Sequence, residues 1–215
     1  ESVVLMDSIE KYSSSPASAI LREETTLSVL AHEVGHRWLA TAKFMDNGSI
    51  SSETLGRQQA HWSFFMNSSG SHDEGNAIAD LGGGVFRTGP ASQRYGPLDQ
   101  YLMGLRAPEE VPPFFIIRNP QVDGVQSAER APQSNVDIRG TRKDVTIQDV
   151  ISANGTRVPA PAPGAAPWKV AFLYVTQGDP ADASKAALVE TIRSQFEAYF
   201  LNSTEGRRAI ETRLR

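Results

Sequence analysis

The stretch that decides the fold is Ser28–Ala40, SVLAHEVGHRWLA, which contains the pentapeptide His32-Glu33-Val34-Gly35-His36. Apolar residues around it recur at helical spacing and predict a helix from about Thr25 to Met45, ended by Asp46-Asn47-Gly48. The predicted core face consists of Leu27, Leu30, Val34 and Trp38. The opposite face carries both histidines and Glu33, which is typical of a buried helix that lines a cleft.

The H-E-x-x-H spacing indicates a metal site. Residues four apart on a helix are separated by about 40° around its axis, so His32 and His36 can bind one ion together. Glu33 is about 100° from His32, close enough to reach a water molecule at the metal without being a ligand. Neutral imidazole suits Zn²⁺, which lowers the pKa of its bound water to about 7.

SVLAHEVGHRWLA resembles the active-site helix of the zincin metallopeptidases, and HWSFF (61–65) and LDQYLMGL (98–105) resemble stretches of uncharacterised secreted bacterial proteins of this type. The resemblance implies a zinc-dependent metalloendopeptidase that cleaves peptide bonds with a zinc-bound water. In it, His32 and His36 would be zinc ligands and Glu33 the general base. It also implies a secreted, extracellular protein and, as partner, a peptide or protein substrate.

Two subfamilies of H-E-x-x-H enzymes fit poorly. The metzincin pattern requires a glycine three residues and a histidine six residues after the second histidine, where this chain has Leu39 and Ala42. Peptide deformylase uses a cysteine as its third ligand, and this chain has no cysteine.

A catalytic zinc also needs a third protein ligand and an open coordination position. His61 in AHWSFF is the favoured candidate, since it has the right chemistry and follows the loop that leaves the predicted helix. Glu74 and Asp99 are the carboxylate alternatives. Peptide hydrolysis further requires an oxyanion stabiliser, for which the candidates are Tyr95, Tyr101 and His72.

The composition excludes several other classes of protein. With 21 basic and 25 acidic residues the net charge is −4, which does not favour a nucleic-acid partner. No apolar run approaches the roughly 18 residues that a membrane-spanning helix needs. The absence of cysteine excludes disulfides, cysteine-ligated zinc, iron–sulfur clusters and a thiol nucleophile. The oligomeric state cannot be read from the sequence.

The predicted fold is a zincin-like α+β domain with a mixed sheet, an active-site helix and a mostly helical or irregular C-terminal part. One catalytic domain over residues 1–215 is expected, with a subdomain boundary near residue 105 as the alternative. Predicted strands are Val3–Met6, Phe114–Ile117 and Val170–Val175, and further predicted helices start after Pro97 and span Asp182–Leu201. The rival functions are a catalytically degenerate zincin-like binding module and a zinc hydrolase of a non-peptide amide.

Overall fold

The computed structural model of the protein describes residues 2–21, 23–90, 93–124, 126–161, 165–176 and 182–213. Contacts between residues divide the chain into two compact units, one formed by Glu1–Val34 with Pro163–Arg215 and the other by Gly35–Ala162. Both helices and strands are present, so the predicted α+β class is confirmed. No helix in the described residues is long and apolar enough to cross a membrane.

The helices and strands follow one another in irregular alternation along the chain. The described helices are α1 Thr26–Gly35, α2 Pro97–Leu102, α3 Ile147–Asn154 and α4 Ala183–Ser203. The described strands are β1 Ala19–Leu21, β2 Glu24–Thr25, β3 Phe44–Asp46, β4 Ser49–Ser51, β5 Trp62–Asn67, β6 Glu74–Asn76, β7 Ile78–Gly82, β8 Val85–Thr88, β9 Phe114–Val122, β10 Asp137–Val145, β11 Trp168–Lys169 and β12 Ile210–Glu211.

A six-stranded mixed sheet in the order β6-β5-β9-β10-β8-β7 forms the frame of the Gly35–Ala162 unit. Its neighbours are antiparallel except β5 and β6, which are parallel. The predicted strand at Phe114–Ile117 is confirmed as the start of β9. Phe114 and Ile116 pack in one apolar cluster and Phe115 and Ile117 in another, because successive side chains of a strand point to opposite faces.

In the other unit, β1 and β2 form an antiparallel pair that leads directly into α1, and β11 pairs with β12 in parallel. The long helix α4 begins at Asp182, whose side chain accepts hydrogen bonds from the backbone N–H groups of Ser184 and Lys185. The sequence-based prediction of a helix over Asp182–Leu201 is therefore confirmed.

The predicted short helix after Pro97 is likewise confirmed, as α2 of the sheet-containing unit.

The prediction that the first helix continues to Met45 is wrong. Helix α1 ends at Gly35, whose carbonyl accepts hydrogen bonds from the backbone N–H groups of Trp38 and Leu39 in the following turn, and Ala40 then adopts a left-handed backbone conformation (φ 55°). Asn47 and Gly48, interpreted from the sequence as the end of the helix, instead form the tight turn between β3 and β4 with positive φ angles. An Asn-Gly pair is the characteristic sequence of such a hairpin turn.

The strands predicted at Val3–Met6 and Val170–Val175 are absent from the structure described for those residues. Val3 and Leu5 are 83% and 86% exposed, and strand pairing near Val170 is limited to Trp168 and Lys169. A short apolar run has the composition of a strand, but it becomes one only where a neighbouring strand accepts its backbone hydrogen bonds.

Candidate metal centre

Helix α1 presents the first half of the H-E-x-x-H motif. Its start is fixed by a reciprocal cap in which the N–H of Ser28 donates to Thr25 Oγ1 (3.0 Å) and the N–H of Thr25 donates to Ser28 Oγ (2.8 Å). Leu27 and Leu30 are buried, whereas Val34 and Trp38 are only partly buried. His32 and Glu33 lie on the helix itself, and His36 is the first residue after its end.

Three histidines come together in an arrangement that can hold a metal ion. One ring nitrogen from each of His32, His36 and His61 lies within 4.8 Å of the others. The rings of His36 and His61 meet edge to face, with centroids 4.9 Å apart and an interplanar angle of 88°. Three imidazole nitrogens that leave one position open match the ligand set of a catalytic zinc, so the chemistry of the donor group fits the expected ion.

His61 is held in a defined tautomer by Arg57. Its Nδ1 lies 2.9 Å from the carbonyl oxygen of Arg57, and since a carbonyl can only accept, Nδ1 carries the proton and donates. The unprotonated Nε2 then accepts a hydrogen bond from Arg57 Nη2 at 3.0 Å. His61 is only 2% exposed. The atom of His61 available to a metal is therefore Nε2.

His36 is oriented by Asp73, whose carboxylate is fully buried. Asp73 Oδ1 lies 3.4 Å from His36 Nδ1, which directs the other ring nitrogen of His36, Nε2, away from the carboxylate. A carboxylate behind a metal-binding imidazole fixes its tautomer and raises its basicity as a ligand. Asp73 therefore occupies the position from which a carboxylate supports a metal-binding histidine.

The two carboxylates considered as alternative third ligands take part in other contacts. Glu74 is buried and Oε1 accepts hydrogen bonds from Arg57 Nε and Nη2 at 3.2 and 2.5 Å. Asp99 accepts from Trp62 Nε1 and from the backbone N–H of Gly96, each at 2.7 Å. Neither carboxylate belongs to the three-residue group of possible ligands found among the described residues. His61 as the third zinc ligand stays a prediction.

Burial raises the pKa of the Asp99 carboxyl to about 6, although hydrogen bonds from Ser71, Trp62 and Gly96 favour its ionised form. Asp99 also closes the first turn of α2, because its side chain accepts from the N–H of the capping residue Gly96. These contacts assign Asp99 a structural part in the core beneath β5.

The three candidate oxyanion stabilisers are buried. Tyr95 and Tyr101 are almost completely inaccessible, and the Tyr101 hydroxyl accepts a hydrogen bond from the backbone N–H of Arg157 at 3.3 Å. His72 packs edge to face on Tyr95, with ring centroids 4.9 Å apart. Side chains shielded in this way are poorly placed to contact a substrate that arrives from solvent.

Sequence reasoning missed two residues that the structure places against the histidines, Arg57 and Asp73. Arg57 lies four residues before His61, and Asp73 lies next to Glu74, one of the two carboxylate candidates for the third ligand. Charged residues in polar loops are usually solvated, so neither position carried a signal strong enough to select it.

The chain matches no protein-family model, no curated protein and no solved structure. Its resemblance to zincins consequently depends on the sequence motifs alone.

Proposed function

We propose that this protein is a zinc-dependent metalloendopeptidase with a zincin-like catalytic domain. The observation that carries the proposal is the convergence of His32, His36 and His61, with Glu33 next to the first of them in the helix. The H-E-x-x-H motif and the third histidine supply three neutral nitrogen donors and one carboxylate outside the ligand set. That combination is the minimum required for metal-assisted hydrolysis of an amide.

In the proposed reaction, His32, His36 and His61 hold the ion through one nitrogen each. Zinc, when bound, polarises the scissile carbonyl and makes water nucleophilic at neutral pH. Glu33 removes a proton from the attacking water and later delivers it to the leaving amine nitrogen. Asp73 keeps the ring of His36 in one orientation, and the backbone carbonyl of Arg57 does the same for His61.

The proposed substrate is a peptide or a protein, and the proposed location is outside the cell. Both follow from the resemblance to secreted zincins.

The test combines metal analysis with hydrolysis of a denatured protein mixture. We expect about one zinc per chain at neutral pH in the purified or zinc-reconstituted protein, and cleavage that a chelator abolishes. Glu33→Gln should keep the zinc but lose hydrolysis, because the amide is nearly isosteric and cannot accept a proton. Glu23→Gln, at an exposed position before the helix, is the matched control and should behave as the wild type.

Three results would contradict the proposal. A protein that never holds zinc would exclude the metal centre, and near-normal turnover by Glu33→Gln would exclude the mechanism. A zinc-loaded wild type that cleaves no peptide would favour the binding module or the hydrolase of a non-peptide amide. A peptide-like hydroxamate separates a zinc peptidase from a hydrolase of a non-peptide amide, since it should inhibit the peptidase but be a poor ligand for a site shaped for another amide.

A further inference from the structure

Arg57 reaches the metal centre from a short loop before β5. Its Nη2 lies 3.0 Å from His61 Nε2, the nitrogen available to a metal. The same guanidinium donates from Nε and Nη2 to Glu74 Oε1. The Arg57 side chain is 45% exposed, whereas that of Glu74 is 9% exposed. Arg57 is thus held by the buried carboxylate of Glu74, while part of its side chain stays exposed to solvent beside the three histidines.

The backbone holds this arrangement in place on both sides. Gln58 and Gln59, which follow Arg57, have positive φ angles of 57° and 54°, and Glu74 has a φ of 70°. These are uncommon conformations for residues with a side chain, and they persist where the surrounding structure determines them. The second oxygen of Glu74, Oε2, is buried and accepts no hydrogen bond from the described residues.

We propose that Arg57 is a catalytic residue of this site, whose guanidinium stabilises the oxyanion formed during peptide hydrolysis, and that Glu74 positions it. The inference rests on the proposed function. A metal ion and Arg57 cannot both use the lone pair of His61 Nε2, so a bound metal would displace Nη2 from it. The hydrogen bond from Arg57 Nε to Glu74 Oε1 would keep the displaced guanidinium beside the three histidines.

Peptide hydrolysis by this route places a negative charge on the carbonyl oxygen, and Arg57 would contact that oxygen. The water oxygen bonds to the carbonyl carbon, Glu33 takes one water proton, and the carbonyl π electrons move to oxygen as an oxyanion. Arg57 donates an N–H to this oxyanion without giving up the proton, since a guanidinium stays protonated in proteins. The C–N bond then breaks, its electron pair remains on nitrogen, and that nitrogen takes the proton from Glu33. Arg57 is suited to this role because it is partly exposed, unlike Tyr95 and Tyr101.

The experiment compares two zinc-binding inhibitors that have the same peptide side chains. A phosphinic peptide carries an anionic tetrahedral centre like the reaction intermediate, whereas a hydroxamate chelates zinc without that centre. The variants are Arg57→Ala and Arg57→Lys. The control is Arg87→Ala, which removes an exposed arginine that also pairs with a carboxylate, that of Asp137, through Nε and Nη2 (2.6 and 2.8 Å).

We expect Arg57→Ala to lower kcat about 10²- to 10³-fold, as the removal of one oxyanion donor does, and to weaken phosphinic-peptide binding by a similar factor. KM, hydroxamate affinity and zinc content should stay close to those of the wild type, and zinc affinity should not fall, because a competitor for His61 Nε2 is gone. Arg57→Lys should recover part of the lost kcat, since the lysine ammonium restores the positive charge. It should not recover all of it, because it lacks the planar guanidinium that donates to Glu74 through two N–H groups. Arg87→Ala should match the wild type throughout.

The inference is overturned if Arg57→Ala keeps kcat within about twofold, weakens both inhibitors equally, or loses zinc. Equal weakening or zinc loss would assign Arg57 to the support of the metal centre. A zinc-loaded wild type that binds neither inhibitor and cleaves no peptide overturns the proposed function, and the inference about Arg57 with it. The two failures are thus distinguished by the wild-type result.

Discussion

The buried carboxylate of Asp73 lies directly against the backbone of Gly35, the glycine of the H-E-x-x-H motif. A Cβ atom added to Gly35 would overlap Asp73 Oδ2 and lie only 3.0 Å from Cγ. The same carboxylate is 3.4 Å from Nδ1 of His36. Asp73 can approach His36 this closely because residue 35 has no side chain. The motif glycine is therefore part of the architecture of the candidate metal centre.

Gly35→Ala should destabilise the metal-free protein by about 1–3 kcal/mol, as overpacking of a filled site does, although alanine is the better helix former. The double variant Gly35→Ala with Asp73→Ala supplies the control. Without the carboxylate, the alanine at residue 35 should be neutral or stabilising relative to Asp73→Ala alone. Urea unfolding of the four proteins in chelator measures the effect. Destabilisation of equal size in both backgrounds would show that Asp73 is not the group that excludes a side chain.

Asp73→Asn should raise the zinc dissociation constant about 10- to 100-fold, the usual effect of removing a carboxylate behind a histidine ligand. The amide lacks the charge that favours one His36 tautomer and makes the imidazole a stronger ligand. Competitive titration against a chromophoric chelator gives the affinity. Asp80→Asn, which removes one of the carboxylates paired with Arg142 on the sheet, is a control that should leave zinc affinity unchanged. An Asp73→Asn variant that is fully folded and binds zinc normally would contradict the assignment.

His61→Ala should reduce zinc affinity by orders of magnitude, more than the roughly 100-fold limit typical of a residue outside the ligand set. It would leave only two of the three clustered histidines. Zinc titration of His61→Ala, Glu74→Ala and Asp99→Ala in parallel separates the three candidate ligands. Asp99→Ala should instead lower stability with and without zinc, because the buried Nε1 of Trp62 loses its acceptor. Loss of metal by Asp99→Ala together with normal binding by His61→Ala would reverse the assignment.

The fold was predictable where local sequence decides the structure. The capped start of α4 at Asp182, the helix that follows Pro97 and the run Phe114–Ile117 were identified because each depends on nearby residues. The end of α1 was not, because the helical pattern of the sequence continues to Trp38, where the structure has a turn. Val3–Met6 has strand composition, but pairing depends on distant residues that no local pattern describes.

The candidate metal centre divides in the same way. His32, Glu33 and His36 could be selected from spacing, and His61 from its chemistry and its position after a loop. Two contacts orient these histidines. Asp73 reaches His36 from a distant segment of the chain. Arg57 reaches His61 across a loop in which Gln58 and Gln59 have positive φ angles. Their residue types are common on protein surfaces, so only the three-dimensional structure distinguishes them from solvated charges.

The raised pKa of Asp99 predicts a specific dependence of stability on pH. Burial raises this pKa from 3.8 to about 6, so the folded protein holds the proton more tightly than the unfolded chain. The contribution of Asp99 to stability should therefore be fully present below about pH 4 and be lost as the pH rises from about 4 to 6. The pKa difference corresponds to about 3 kcal/mol. Asp99→Asn cannot titrate and should lack this component.

Urea unfolding of the metal-free wild type and Asp99→Asn between pH 4 and 7 measures that component as the difference between the two pH profiles. Absolute stabilities are less informative, because the NH₂ group of the asparagine amide would face a donor such as Trp62 Nε1 or the Gly96 N–H. The Arg87 side chain holds the pKa of the exposed Asp137 below its usual value, so Asp137→Asn should leave the slope between pH 4 and 6 unchanged. Parallel profiles for the wild type and Asp99→Asn would mean that the hydrogen bonds from Ser71, Trp62 and Gly96 outweigh burial and keep Asp99 ionised.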